Sequence, residues 1–372
     1  MPAKKEPTKA GGAPPHLSDL RERMDALNLE LLRTLSRRAE TAIEIGHLKH
    51  RDGGEIYQPA RERQVIDQMV AENQGPLTGD QVRRIFVEII SACRALEHVP
   101  RIAFLGPEHT YSHEAARVHF GSSVEIAPQP SIAAVFQAVE NGRANFGVVP
   151  VENSTEGSVT LTLDLLIDSP LSIIGETLLP IRHSLLSKSG DPAAVKRIVS
   201  HQQSLAQCRA YLATNFPHCE TEAAPSNAAA AERAAKEPGI AAIASAAAGA
   251  AYGLKTIAAN IQDVAANATR FLVMGQRPAG RSGADKTTVL FAVADRVGAL
   301  HEATGLFARN KINISKIESR PLRSRPWEYL FFADLHGHCE DAPLVRALGA
   351  LKRKALFLKV LGSYPEGKSA AA

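Results

Sequence analysis

The sequence predicts three segments of different fold class in one chain of 372 residues: all-α over 17–99, two-lobed α/β over 100–276, and α+β ferredoxin-like over 287–365. Three observations carry this. Leu17, Leu20, Met24, Leu27, Leu31 and Leu35 recur at three- and four-residue steps, and no breaker interrupts the pattern before Lys49. From residue 100, short β-rich runs alternate with helical ones, the pattern of an α/β layer structure. After the Gly/Pro/charged linker RPAGRSGADK (277–286), the order becomes β-α-β-β-α-β.

In the first segment some thirty residues make a helix of about 45 Å. RDGGEIYQP ends it, and Pro59 suits the first turn of a second helix over ARERQVIDQMVAEN. Thr78 with Gln81 reads as a capping box for a third, striped by Val82, Ile85, Phe86, Ile89, Ile90 and Cys93. The two shorter helices cannot cover the long stripe, so a homodimer with the long helices packed together is expected. In the second segment the expected strands are RIAFLG, VEIAP, FGVVPVEN, LSIIGETLLP, KRIVSH, GIAAIAS and TRFLVMG. Ser131, Ser204 and Ser226 are the expected helix caps. The polar loops fall at strand ends and helix N-termini, where free N–H groups favour anions in a cleft between the lobes.

Composition excludes several classes. A net charge of +4 is small for this length, and no Lys/Arg run is interleaved with aromatics, so no nucleic-acid partner is expected. Cys93, Cys208, Cys219 and Cys339 show no C-x-x-C and no metal spacing, which fits a reducing cytoplasm. The pairs His109/His113 and His336/His338 lack clustered acidic or thiol partners, so no metal is expected. Residues 1–16 read as a flexible tail and not an export signal, and 366–372 as a second tail. No stretch approaches the length of a membrane span, so no membrane partner is expected.

Arg21, Arg38, Lys49 and Arg61 are the first constellation. Eleven steps of about 100° bring Arg38 and Lys49 to one helix face, and Arg21 lies roughly a quarter turn away. A partner's helix could supply Arg21 to the same pocket. Singly, each is a solvated cation with Glu22, Glu40 and Glu44 as counter-ions. Together, LRERMDALNLELLRTLSRRAETAIEIGHLK, YQPARERQVI and IFVEIISACRALE resemble the helical AroQ class of chorismate mutase. The resemblance implies that Arg21, Arg38, Lys49, Arg61, Glu62 and Glu97 line a pocket for the dicarboxylate chorismate, with Lys49 serving the ether oxygen. Gln58 stands where relatives often have Asp, and Glu97 where many have Gln. A Claisen rearrangement moves no proton, so holding the compact conformer and stabilising charge on the ether oxygen suffice. Arginine forks suit the carboxylates. A carboxylate at Glu97 would repel that charge unless it carries a proton. The segment could also serve only as a dimerisation arm.

The second constellation centres on NATRF (267–271). Alternation puts Thr269 and Phe271 on one face of a strand and Arg270 on the other. Read alone, this is a β-former beside an arginine that reaches solvent. FLGPEHTYSHEAA, GVVPVENSTEGSV, GETLLPIRHSLL, SHQQSLAQC, AAIASAAAGAAYGL and NATRF, in that order, resemble prephenate dehydratase from end to end. The resemblance implies a two-lobed fold like the type II periplasmic binding proteins and places Thr269 at the chemistry. Arg270 would steady local charge or the strand, and Phe271 would support the pocket wall. Asn153, Ser154, Ser200 and Gln207 would touch substrate, with Ser112, His113 and Glu152 nearby. His113 and His183 could equally be structural, and Glu152 could cap a turn. Relatives usually read HPQ at His201–Gln203 and often Thr at Asn227. Prephenate must lose CO₂ and its ring hydroxyl, and the departing hydroxide needs a donor. A threonine hydroxyl is a weak acid, so Thr269 reads as a hydrogen-bond donor or relay. Neither reaction calls for a cofactor. The two-lobed plan alone would serve a solute-binding module equally well.

In the third segment GAL (Gly298, Ala299, Leu300) opens a helix and ESRP (Glu318, Ser319, Arg320, Pro321) ends a strand. Here the chain resembles the ACT regulatory domain of the same enzymes, which implies an L-phenylalanine site at both motifs. Free N–H groups at Gly298–Leu300 can take the amino acid's carboxylate. Phenylalanine would bridge two such units, and feedback inhibition is the expected consequence.

Overall fold

The computed structural model describes residues 16–52, 57–321 and 329–367. The chain divides into two compact units, 1–55 and 56–372. Residues 1–15 of the expected first tail lie outside the described residues. Of the expected second tail, Glu366 N donates to Ala284 O and Gly367 N to a Glu176 carboxylate oxygen.

The first unit contains one unbroken helix, α1 (Leu17–Asp52), of 36 residues. Its Leu20, Met24, Leu27 and Leu31 are exposed. The second unit opens with α2 (Pro59–Glu72), whose proline sits in the first turn, and α3 (Gly79–Glu97). Thr78 and Gln81 form the reciprocal capping box that their spacing predicts: Thr78 N donates to Gln81 Oε1 at 2.8 Å and Gln81 N to Thr78 Oγ1 at 3.3 Å.

The α/β body follows as β1 (Arg101–Leu105), α4 (Tyr111–Phe120), β2 (Glu125–Gln129), α5 (Ile132–Glu140), β3 (Phe146–Asn153), β4 (Gly157–Ser158), α6 (Thr160–Asp168) and β5 (Ser172–Pro180). A second lobe comprises β6 (Ser184–Ser187), β7 (Arg197–His201), α7 (Gln202–Gln207), α8 (Arg209–Asn215), β8 (Glu220–Ala224), α9 (Asn227–Lys236), β9 (Ile240–Ala244), α10 (Ala246–Ala251) and β10 (Lys255–Ala258). The chain then returns in β11 (Ala268–Gly275), which inserts antiparallel between β3 and β5. The first sheet runs β2-β1-β3-β11-β5 and the second β10-β6-β9-β7-β8. Two crossovers therefore join the lobes, after β5 and before β11, and they bond to each other. Ile181 N donates to Asn267 O at 2.8 Å, and Ile261 N to His183 O at 2.9 Å. Ser204 does not cap its helix as expected. His201 holds the N-cap of α7, accepting from Gln203 N, and Ser204 lies inside the helix.

The C-terminal unit is β12 (Asp285–Ala292), α11 (Ala299–Arg309), β13 (Ile314–Pro321), β14 (Tyr329–His336), α12 (Ala342–Lys352) and β15 (Phe357–Pro365), in sheet order β13-β14-β12-β15. The ferredoxin-like order is thus realised, and β12 is buried at every residue. The reason is that both faces of this sheet are covered. Val289, Phe291, Ala333 and Leu335 pack on α11 and α12, whereas Leu290, Phe332, Leu361 and Tyr364 join the first lobe's core of Val151, Leu163, Leu166 and Leu272. Gly362 permits a close approach: a Cβ there would collide with Ile173 O of β5.

Candidate active sites

The register of β3 and β11 sets Asn153 opposite Thr269. Asn153 Oδ1 accepts from Thr155 N at 3.0 Å, Glu156 N at 3.2 Å and Thr155 Oγ1 at 2.6 Å. Backbone amides only donate, so this atom is the oxygen and the NH₂ must face the other way. There it donates to Asn267 Oδ1 at 2.9 Å and to Thr269 Oγ1 at 2.8 Å. Thr269 Oγ1 is thereby an acceptor from the protein, which leaves its own proton to be given outward. Ser154 Oγ accepts from Ala268 N at 3.0 Å and fixes the strand end.

From the second lobe Gln207 reaches the same cluster. Its Oε1 accepts from Asn267 Nδ2 at 3.0 Å, and its Nε2 donates to Thr155 Oγ1 at 3.2 Å and Glu156 Oε1 at 3.3 Å. The structure thus gathers Asn153, Ser154, Gln207 and Thr269 from both lobes. Asn267, two residues before Thr269, belongs with them. Its place in NATRF was visible, but its partners were not.

Other expected residues lie elsewhere. Ser200 is fully buried in the second lobe and donates to Ile243 O at 2.6 Å, with the Asn227 carboxamide 3.3 Å from its Oγ. Ser112 and His113 sit in the first turn of α4, behind the Thr110 cap. His113 Nδ1 accepts from His109 N at 2.8 Å and its ring stacks on Phe104. Burial, then the Arg117 guanidinium, lowers its pKa and keeps the ring neutral. Phe271, expected at the pocket wall, is 2% exposed and packs among Phe104, Ala115 and Val273, so it holds the strand from beneath.

Arg270 neither reaches solvent nor joins Thr269. On the opposite face of β11 it donates through Nε to Glu176 at 2.6 Å, through Nη1 to Asp334 of β14, and through Nη2 to Tyr364 OH of β15 at 3.0 Å. Glu152 faces the same side and pairs with Lys316 of β13 at 2.8 Å. Alternation separated Arg270 from Thr269 as expected, whereas Glu152, expected near the substrate, lies on the far face. What covers the second face is the C-terminal sheet.

In the helical part, Arg21, Arg38 and Lys49 all project from α1. Gln58 precedes α2 without capping it by its side chain, and Arg61 and Glu62 follow in the first turn. The Glu62 carboxylate is held by Arg94 of α3, with Nη1 at 2.7 and 2.9 Å from its two oxygens. Glu97 Oε2 is buried with no hydrogen bond among the described residues. In the C-terminal unit Gly298 is the N-cap of α11 at φ 79°, a left-handed conformation that suits glycine. A cavity of about 130 Å³ lies beside it, lined in part by Ala299, Leu300, Tyr329 and Phe331. Along β13, Glu318 accepts from Ser158 Oγ at 2.6 Å and Arg320 pairs with Asp164 at 2.9 Å, while Ser319 and Pro321 are exposed.

Three family models match in the order of these parts: chorismate mutase type II over residues 20–98, prephenate dehydratase over 102–279 and the ACT domain over 287–353. The bifunctional chorismate mutase/prephenate dehydratase of Aquifex aeolicus is 42% identical over 354 residues, covering 94% of this chain and 98% of that one. This chain belongs to the bifunctional chorismate mutase/prephenate dehydratase family. The Escherichia coli K12 protein of the same description is 34% identical over 369 residues, 93% of this chain and 95% of its own. Among solved structures, prephenate dehydratase from Arthrobacter aurescens in complex with L-Phe superposes with a TM-score of 0.67 at 34% identity, covering 72% of this chain and 90% of that one. The chain is accordingly a bifunctional enzyme, an isomerase and a lyase, with an ACT domain.

One joint between the mutase helices and the dehydratase lobe escaped the sequence reading. Arg94 is 5% exposed, donates through Nη2 to Phe120 O at 2.6 Å, and lies 5.2 Å over the Tyr57 ring. Tyr57 OH meets His119 Nε2 at 2.8 Å, and His119 Nδ1 meets Thr177 Oγ1 of β5 at 3.0 Å. Burial, then Arg94 and Arg63, depresses the His119 pKa to about 3. A base whose folded pKa lies below its unfolded value stabilises the fold fully above the unfolded value, about 6.5, and progressively less as pH falls toward the folded one. The thermal midpoint of the full chain should therefore drop between pH 7 and pH 5, and drop less in His119→Gln. Equal drops in both proteins would remove His119 as a source.

Proposed function

We propose that this enzyme rearranges chorismate to prephenate and then removes CO₂ and water from prephenate to give phenylpyruvate, under feedback inhibition by L-phenylalanine. The mutase domain is 17–99, the dehydratase domain 100–276 and the ACT domain 287–365, with 277–286 as linker. Arg21, Arg38, Lys49, Gln58, Arg61, Glu62 and Glu97 form the chorismate pocket, in a homodimer that covers the leucine face of α1. The exposure of Leu20, Met24, Leu27 and Leu31 supports that assembly. Four free cysteines support a cytoplasmic site of action, and no helix among the described residues is long and apolar enough to cross a membrane.

The observation that carries the dehydratase reading is the 2.8 Å contact from Asn153 Nδ2 to Thr269 Oγ1. It turns the threonine into a donor aimed away from its own strand. Asn153, Ser154 and Gln207 bind prephenate, with the buried Ser200 supporting the second-lobe wall, Ser112 and His113 behind them in α4, and Glu152 on the far face of the strand. Arg270 and Phe271 hold the strand. Phenylalanine binds at Gly298–Leu300 and Glu318–Pro321. Support for control comes from β13 itself, because the strand that ends in this motif also grips Ser158 and Asp164 of the dehydratase.

Purified full-length protein given chorismate should produce prephenate first and phenylpyruvate after it, and added L-phenylalanine should suppress the second product. Consumption of added prephenate with chorismate left untouched would reduce the helical segment to a dimerisation arm. Binding of either acid without turnover would favour a solute-binding module.

A further inference from the structure

The crossover between β5 and β6 carries a histidine that the reaction scheme leaves without a task. His183 is 1% exposed and lies where the two crossovers bond to each other, its N–H donating to Gln262 Oε1 at 3.0 Å. Its Nε2 is 2.9 Å from Gln207 Oε1, and its Nδ1 is 3.0 Å from Tyr111 OH.

Donor and acceptor counting fixes the three carboxamides of this chain and the Nε2 proton of His183. Backbone N–H groups oblige the outer atom of Asn153 to be oxygen, so Nδ2 of Asn153 faces Asn267, whose facing atom must accept. The Asn267 NH₂ then faces Gln207, and the Gln207 atom between Asn267 and His183 is the carbonyl oxygen. His183 therefore carries its proton on Nε2 and turns a bare Nδ1 toward Tyr111 OH, whose one proton is shared between that nitrogen and Arg182 O at 2.8 Å. Burial, which lowers the histidine's pKa, favours that neutral form. The outcome is at Gln207: two donors seize its oxygen, so its NH₂ is turned toward Thr155, Glu156 and the cleft.

We propose that His183 is a positioning residue for the dehydratase reaction, which with Asn267 holds the Gln207 carboxamide with its NH₂ toward the anionic substrate. Gln207 comes from the second lobe, while His183 and Asn267 lie in the two crossovers. The same three residues therefore tie the seating of the second lobe to the strand that bears Thr269. Loss of the histidine donor leaves the Gln207 oxygen to Asn267 alone, so the carboxamide is held less firmly with its NH₂ toward the cleft.

This inference rests on the dehydratase site proposed above, and a variant series separates the two. His183→Leu should lower kcat/KM for prephenate about ten-fold, the scale of one directed hydrogen bond. His183→Gln, which keeps an N–H donor near the Nε2 position, should recover most of that loss. In a Gln207→Ala background, His183→Leu should cost nothing further, since the residue acts through Gln207. Mutase turnover by the same preparations reports that each variant is folded. A His183→Leu enzyme with unchanged kcat/KM overturns the proposal, as do equal losses in the Leu and Gln variants or additive losses in the double variant. Should Thr269→Ala itself keep normal dehydratase turnover, the site reading fails instead, whatever His183 does.

Discussion

Thr269→Ala should lower dehydratase kcat by about 10²–10³-fold, the scale on which one donor aimed at developing negative charge acts. Aromatisation drives the loss of CO₂ and hydroxide from prephenate, so the barrier belongs to the departing oxygen. Thr269 Oγ1 receives the Asn153 N–H at 2.8 Å, which both orients the hydroxyl and makes its proton a better donor. Alanine removes the donor and leaves Asn153 Nδ2 with Asn267 Oδ1 and Ala268 O as remaining partners. The cluster should therefore persist, and the loss should fall on kcat more than on KM. Thr269→Ser keeps a hydroxyl but frees its rotamer, and should retain part of the activity. Mutase turnover by the same chain should stay within about two-fold, since its residues lie on other elements. Near-normal prephenate turnover by the alanine variant would take Thr269 out of the mechanism.

Periodicity made the long-range plan legible. The leucine stripe of α1, the proline start of α2 and the capping box of α3 each follow from local chemistry, and each is realised. Strands with apolar runs, such as β3, β5, β9 and β11, declared themselves. SLLS, ETEAA and KTIA did not, because β6, β8 and β10 are short and carry small or polar residues with no sustained alternation. The single run expected over LAQCRAYLATNF divides into α7 and α8 at Cys208. At the site, NATRF pointed to Thr269 through its resemblance, and alternation put Arg270 on the other face. Its burial there was illegible, since the covering sheet begins some fifteen residues later in sequence and no local pattern announces a second layer. Arg94 was hidden in the same way: it follows the stripe position Ile90 by four residues, and only the packing of α4 turns it into a clamp.

The other large effect should come from Arg270→Met. Burial alone would lower the pKa of this guanidinium, but Tyr364, Asp334 and Glu176 together outweigh it and raise the value, so the charge is permanent. Around it Glu176 also binds Lys286 Nζ at 2.8 Å, Asp334 accepts from Thr288 Oγ1 at 2.6 Å, and a cavity of only about 20 Å³ remains. Water therefore cannot replace the lost fork in bulk. Methionine would take the guanidinium from the 5% exposed Asp334 and leave the fully buried Glu176 side chain with Lys286 alone. Breaking a buried pair from one side costs about 3–5 kcal/mol, which for a unit of this size lowers the thermal midpoint by roughly 5–10 °C. Arg270→Lys should recover only part of this, because one ammonium cannot span Glu176, Asp334 and Tyr364 as the planar fork does. The change should also reach regulation. Arg270 is covalently next to Thr269 and is held by two strands of the ACT sheet, so a sheet that shifts on binding phenylalanine pulls on β11 through this residue. Inhibition by L-phenylalanine should weaken in Arg270→Met, measured at a temperature where the variant is folded, even though the cavity beside Gly298 proposed for the effector is untouched. An unchanged thermal midpoint would show that the ion cluster contributes little to the joint, and an unchanged inhibition curve would show that the signal takes another route, such as the grip of β13 on Ser158 and Asp164.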